Sequence, residues 1–364
     1  MKCRRVNKML KSRKIFVCIA IVGIVVPLVF LSQTTGHSSR SRGGPRKKVI
    51  PRFRDNVFEN NMSTKATLQK ANIPADVIQK ERLATLHQGC QLLEKKGVVP
   101  NSVVASQLGH ILVDDTYQVM FCYIPKVACT NMKRVFLLLT GKMNTTNPLD
   151  IESSDVHFTH NKYLKYLSDF NSEVEINYRI KSYRKIIFVR EPLERLLSAY
   201  RNKFMEKSEY FHKRFGRRIV RRYRKNPSAS SVELGNDVKF IEFIKYITDS
   251  STIMKEGFNE HWAHYSGLCH PCLIQYDYVG KYETIDQDID QILRDLHIDD
   301  AIQFPARGAT YKRKKTKDTM ADFYGKIPPF HLKLLWKIYV NDYKLFGYPY
   351  PQILQQFLSN SSHT

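Results

Sequence analysis

Between Tyr117 and Gly141 the chain reads YQVMFCYIPKVACTNMKRVFLLLTG, and its hydrophobic period changes halfway. Gln118 to Ile124 is short, apolar and rich in β-formers, which predicts a buried strand. Pro125 has no N–H to continue a ladder. Met132 to Thr140 is an apolar helical run, with Thr130 or Asn131 expected as its cap. A strand, a tight loop and a helix start bring unpaired N–H groups and a positive dipole end together, so the loop is predicted to hold an anion. Lys126 lies inside it, positioned for a phosphate or a leaving oxygen. The two-glycine Lys-Ser/Thr pattern is absent, which argues against a nucleotide triphosphatase or nucleotide-phosphate kinase.

A second joint of this kind follows. Arg184 to Val189, RKIIFV, reads as another buried strand and runs into REPLERLLSAYRNKF. Pro192 suits a helix start, and Leu193, Leu196, Leu197 and Tyr200 suit its buried face. Arg190 ends the strand and Ser198 lies two helical turns further on. A guanidinium fork and a hydroxyl are donors for phosphate oxygens. An Arg190–Glu194 ion pair is the plain structural alternative.

PKVACTN, followed by Lys133 and Arg134, resembles the 5′-phosphosulfate loop of the Golgi carbohydrate sulfotransferases. The branch is that of the chondroitin and N-acetylgalactosamine 4-O-sulfotransferases and the natural-killer-epitope glucuronyl sulfotransferase. Arg190 to Ser198 resembles the 3′-phosphate site of the same enzymes. His261-Trp262, Cys269-His-Pro-Cys272 and the Tyr-Asp strand after them also match the branch, and the resemblance spans about Leu108 to Tyr350. It implies an α/β fold with a P-loop-like sulfotransferase core, a central parallel sheet flanked by helices. It implies 3′-phosphoadenylyl sulfate as donor. Pro125, Lys126, Val127, Ala128, Cys129, Thr130 and Asn131 then form the 5′ site. Arg190, Glu191, Pro192, Leu193, Glu194, Arg195, Leu196, Leu197 and Ser198 form the 3′ site. Sulfuryl transfer is an in-line displacement in which Lys126 neutralises the leaving oxygen. The leaving phosphate carries its own charge sink, so no metal is expected. A sugar hydroxyl needs a base; the resemblance puts a histidine between the two motifs, which nominates His157, with His160 and His261 as rivals. Met132 departs from the branch, where an aromatic residue usually follows the loop; it is expected to pack.

The formal charge of +24 is uneven. Residues 1–54 hold 14 Lys or Arg and no acid, leaving 44 basic against 34 acidic residues beyond them. A basic globular part suits an anionic partner: an acidic glycan, a phosphorylated cofactor or nucleic acid. Lys213 to Lys225 holds eight basic residues in thirteen, with Arg217, Arg218, Arg221 and Arg222 on one helical face. That face is a candidate floor for a polyanionic glycan, and a solvated helix surface otherwise. Lys312 to Lys317 is a basic loop placed to close over a nucleotide.

Met1 to Lys14 carries seven Lys or Arg, and Ile15 to Leu31 then gives 17 residues without charge. This predicts a cytoplasmic tail (1–14), a type II anchor (15–31), a Ser/Gly/Pro/Arg-rich stem (32–73) and a luminal domain (74–364). A luminal enzyme does not meet nucleic acid. Asn61, Asn144 and Asn360 begin glycosylation sequons. Pro74 opens a helix to about Lys96, and His110–Val113 pairs with Gln118–Ile124 as a hairpin. Cys269 and Cys272 have no second pair to complete a zinc site, so a local disulfide or two packed thiols is expected. The acceptor is read as N-acetylgalactosamine in chondroitin, ahead of dermatan or N-glycan N-acetylgalactosamine and glucuronic acid. The non-enzymatic alternative, a membrane protein that only grips acidic glycans, has no need of Lys126, Arg190 and Ser198 together.

Overall fold

The computed structural model describes residues 74–298, 302–305 and 314–358. The expected tail, anchor and stem, and the sequons at Asn61 and Asn360, lie outside the described residues. Among the described residues no helix is long and apolar enough to cross a membrane.

Five strands form one sheet: β1 (Ile111–Asp114), β2 (Val119–Cys122), β3 (Lys165–Tyr166), β4 (Arg184–Val189) and β5 (Tyr278–Lys281), in the order β3-β1-β2-β4-β5. β2, β4 and β5 are parallel, with Phe121 opposite Ile186 and Ile186 opposite Tyr278. β1 runs antiparallel to β2, and β3 antiparallel to β1. The centre of the sheet is parallel and the expected hairpin adds β1 antiparallel at its side, with β3 beyond it, so the sheet as a whole is mixed. The link from Asp114 to Val119 is a tight hairpin, and a crossover to a parallel neighbour needs a dozen or more residues. The parallel strands are covered on both faces, which is why β2 and β4 read as continuous apolar runs.

Helix α1 (Ala75–Lys95) packs Leu86, Cys90 and Leu93 inward. α2 (Cys129–Leu139) follows β2 and buries Met132, Val135, Phe136 and Leu137. A short turn of helix, α3 (Ser153–His157), and α4 (Glu173–Ser182) lead to β4. α5 (Pro192–Phe204) leaves β4 and turns Leu193, Leu196, Leu197 and Tyr200 into a second core. That core is built from helices and is rich in aromatic rings, with Phe215, Phe243, Trp262 and Tyr339 around α5. The strand expected after Cys272, around Tyr276-Asp277, starts later. Leu273 and Ile274 both donate to the His270 carbonyl in a turn, and pairing begins at Tyr278. Gly280 in β5 is required by a close approach, since a Cβ there would lie 2.2 Å from the Phe188 ring.

Four cysteines pair over long distances, Cys90 with Cys272 and Cys122 with Cys269. This corrects the expectation that Cys269 and Cys272 bond to each other or pack as thiols. Each of those two is held to a different element, one to α1 and one to the end of β2.

Candidate active site

β2 and β4 are adjacent and parallel, so the loops leaving their carboxyl ends lie side by side, where open α/β sheets bind ligands. The first loop is strained. Lys126 and Ala128 sit in the left-handed region at φ 74° and 53°, a conformation that costs a non-glycine residue on the order of 1–3 kcal/mol. The cap of α2 is Ala128, which has no capping side chain, and not Thr130 or Asn131 as expected. Those two residues fall in the first turn, after the helix has begun. Val127 N–H donates to Ile124 and Met132 N–H to Ala128. The N–H groups between them, from Ala128 to Asn131, are the ones that a helix start leaves without intrahelical acceptors. They form an anion cradle at the positive end of the α2 dipole.

Arg190 ties the second loop to the first. Its Nη1 donates to the Lys126 carbonyl at 3.1 Å and its Nη2 to Glu194 Oε1 at 2.7 Å. Its guanidinium lies 4.2 Å from the Tyr282 ring centre, and its Nε is buried without a partner. The Arg190–Glu194 pair foreseen as the structural alternative is thus present, and one guanidinium N–H still has nothing to bond. Ser198 is the one residue between Pro192 and Tyr200 whose side chain is not buried.

These residues face one cleft of about 880 Å³, which Lys126, Thr130, His157, Arg190, Ser198 and His261 all line. Lys315 and Thr316 of the basic loop line it too; Lys312 and Arg313 lie outside the described residues. Several residues of the two motifs also hold the fold together. Val127, Pro192, Leu193, Leu196 and Leu197 are buried. Arg195, 2% exposed, donates to the carbonyls of Pro125, Ala263 and Glu260. Glu191 accepts from Glu194 N–H and Tyr343 Oη, and burial raises its carboxyl to about 7. Asn131 bonds Pro305 and Arg134. Met132 packs, as expected.

The two histidines of the cleft are neutral near pH 7. Burial, then the charges of Lys133, Lys203 and Arg134, lowers His157 to about 4; its Nε2 is 3.1 Å from Thr130 Oγ1. Burial, then Lys203, Lys126 and Arg195, lowers His261 to about 2, and its Nδ1 is 2.8 Å from Asn259 Oδ1. His160 stacks on Tyr163 and does not line the cleft. Burial lowers the Lys126 ammonium to about 8, with Lys203 and Arg190 adding to the shift.

The arginine face foreseen as a glycan floor is elsewhere. Arg217, Arg218 and Arg222 pair with Glu233, Glu256 and Asp249, and none of the four, Arg221 included, lines the cleft. Lys133, Lys203 and Glu260 do line it, and were not foreseen as site residues. The only hint was Lys133 beside the loop motif.

Two strand-end loops, one a helix-start cradle with a lysine and the other a forked guanidinium, make an α/β cleft suited to anionic groups. A sulfotransferase family model matches residues 109–349, and the chain belongs to that family. It is 44% identical over 253 residues to carbohydrate sulfotransferase 11 of Rattus norvegicus, covering 69% of this chain and 70% of the relative. It is 38% identical over 294 residues to carbohydrate sulfotransferase 14 of Danio rerio, covering 79% and 76%. It is 35% identical over 351 residues to carbohydrate sulfotransferase 12 of Mus musculus, covering 89% and 82%. No solved structure matches. The chain is a carbohydrate sulfotransferase, which implies 3′-phosphoadenylyl sulfate as donor and a glycan as acceptor.

Proposed function

We propose that the chain transfers the sulfuryl group of 3′-phosphoadenylyl sulfate to position 4 of N-acetylgalactosamine in chondroitin, as a type II protein of the Golgi membrane with its catalytic domain in the lumen. The observation that carries the donor half is the joining of the two anion loops in one cleft through the Arg190–Lys126 bond. The N–H groups of Ala128 to Asn131 and the Lys126 ammonium suit the 5′-phosphosulfate, and Lys126 faces the charge that grows on the leaving phosphate. Arg190, with its unpaired Nε, and Ser198 suit the 3′-phosphate.

The transfer breaks the bond from sulfur to the phosphate oxygen, forms one from sulfur to the sugar oxygen, and releases the hydroxyl proton. His157 takes that proton. Its ring is neutral near pH 7, and its Nε2 reaches Thr130 of the cradle, where an acceptor hydroxyl can replace the threonine. The 4-O position is supported by the PKVACTN and Tyr-Asp resemblances. The lumen is supported by the anchor-like segment 15–31 and by two long-range disulfides, which belong to oxidising compartments. Asn144 is exposed, as a glycan acceptor must be.

Adenosine 3′,5′-bisphosphate should stabilise the luminal domain against heat, and labelled donor should transfer sulfate to desulfated chondroitin in preference to dermatan or N-glycan acceptors. His157→Ala should lower kcat by about 10²–10⁴ with bisphosphate binding intact. Full turnover in that variant, with a loss in His261→Ala instead, would move the base to His261.

A further inference from the structure

Among the described residues four Lys or Arg side chains are buried: Lys133, Lys185, Arg190 and Arg195. Lys185 and Arg190 pair with Asp277 and Glu194, and Arg195 gives all three of its nitrogens to backbone carbonyls. Lys133 has neither answer. It is 5% exposed and lines the cleft, yet no carboxylate pairs with it among the described residues. Its Nζ lies 4.1 Å from the Tyr123 ring centre and 5.4 Å from that of Tyr166, and its one hydrogen bond goes to Tyr166 Oη at 3.1 Å. That hydroxyl is already committed as a donor to Asn161. Glu260, an acid of the same cleft, turns its two oxygens toward His110 and His261 at 3.5 and 3.6 Å. The ring faces, the Tyr166 hydroxyl and the more distant Glu260 charge offset part of the hydration that Lys133 has lost, but an ammonium held this way keeps N–H donors to spare for an anion.

The donor's anionic ends are already provided for by the cradle, Lys126 and Arg190. Lys133 lies three residues beyond Thr130 on the same face of α2, and Thr130 Oγ1 is 3.1 Å from His157 Nε2. Phe158, next to His157, is 81% exposed and lines the same cleft, offering a flat surface to the apolar face of a sugar. The charge therefore sits on the side where the acceptor hydroxyl meets its base.

We infer that Lys133, in its Tyr123–Tyr166 cage, binds the carboxylate of a uronic acid adjoining the sulfated sugar, so that the enzyme selects an acidic glycan from inside the cleft and not through the Arg217–Arg222 face. The inference rests on the transferase reading above and specifies its acceptor.

The test compares desulfated chondroitin with the same polymer after carboxyl reduction, which turns glucuronate into glucose and leaves the N-acetylgalactosamine untouched. The wild-type enzyme should prefer the native polymer at least about tenfold in kcat/KM, as expected for one hydrogen bond to a charged group. Lys133→Met should lose that preference through the native polymer alone, chiefly as a raised acceptor KM. Lys133→Arg should keep part of it. The Kd of adenosine 3′,5′-bisphosphate should change less than about twofold in both variants, which also shows that they fold. Equal use of the two polymers by the wild type overturns the inference. So does an equal loss on both in Lys133→Met, or a weakened bisphosphate Kd, which would place Lys133 on the donor. A wild-type protein that the bisphosphate does not stabilise strikes the transferase reading itself, and this inference with it.

Discussion

The Arg195 guanidinium donates its Nε–H to the carbonyl of Pro125 at 3.0 Å, joining α5 to the first residue of the anion loop across 70 positions of sequence. Its two terminal nitrogens reach the carbonyls of Ala263 and Glu260, both at 2.7 Å. One planar fork thus fixes the phosphate loop against the segment that carries His261. Lysine has one ammonium and cannot span three carbonyls in a plane. Arg195→Lys should fold with reduced stability and bind adenosine 3′,5′-bisphosphate about tenfold more weakly, although Arg195 does not line the cleft. Arg195→Ala leaves three carbonyls without donors and should cost about 3 kcal/mol or more. Melting curves with and without the bisphosphate separate the two effects. A loss confined to stability in Arg195→Lys, with unchanged ligand affinity, would deny the loop-positioning role.

What was legible in the sequence was local. β4 is legible to the residue because Arg184 to Val189 is a run of β-formers stopped by a charge and a proline. The start of α5 follows from Pro192. The first loop was legible as an anion site, but its cap was misplaced, because left-handed Ala128 ends the loop where sequence rules favour Thr130 or Asn131. Long-range partners were not legible. Nothing near Cys269 or Cys272 names Cys122 or Cys90. Nothing in KRFGRRIVRRYRK shows that Glu233, Asp249 and Glu256 neutralise three of its arginines. Lys133 and Lys203 stand beside other charged residues on their helices, Arg134 and Arg201, and the sequence alone does not show which of them turn to the cleft. The two-residue β3 is too short to carry a periodic signal.

Activity should fall on the alkaline side before the fold does. Burial lowers the Lys126 ammonium to about 8, against about 10.4 for an exposed lysine. Between those values the folded enzyme has lost a proton that the unfolded chain keeps, so this group makes stability rise with pH while the site loses its cation. kcat/KM for the donor, which reports the free enzyme, should decline above about pH 8. Lys126→Arg cannot deprotonate in this range, and its alkaline limb should move upward even if the maximum is lower. A pH–rate profile of both proteins, with circular dichroism at each pH, checks the separation; an unmoved limb in Lys126→Arg assigns it to another group.

The two disulfides should differ in what they protect. Cys122 is the last residue of β2, just before the loop, and Cys269 ends the helix that follows His261 and Trp262. Cys90–Cys272 instead fastens α1 to the turn before β5, away from the lining of the cleft. Both close long loops, so loss of either should cost about 2–5 kcal/mol. Only Cys122→Ala with Cys269→Ala should also weaken bisphosphate binding, because only that bond anchors the strand end from which the cradle is built. Cys90→Ala with Cys272→Ala should melt earlier and bind normally. Melting under non-reducing conditions, paired with bisphosphate titration at a temperature where both variants are folded, reads the two effects independently. Equal affinity in the two variants would show that the sheet alone holds the loop in place.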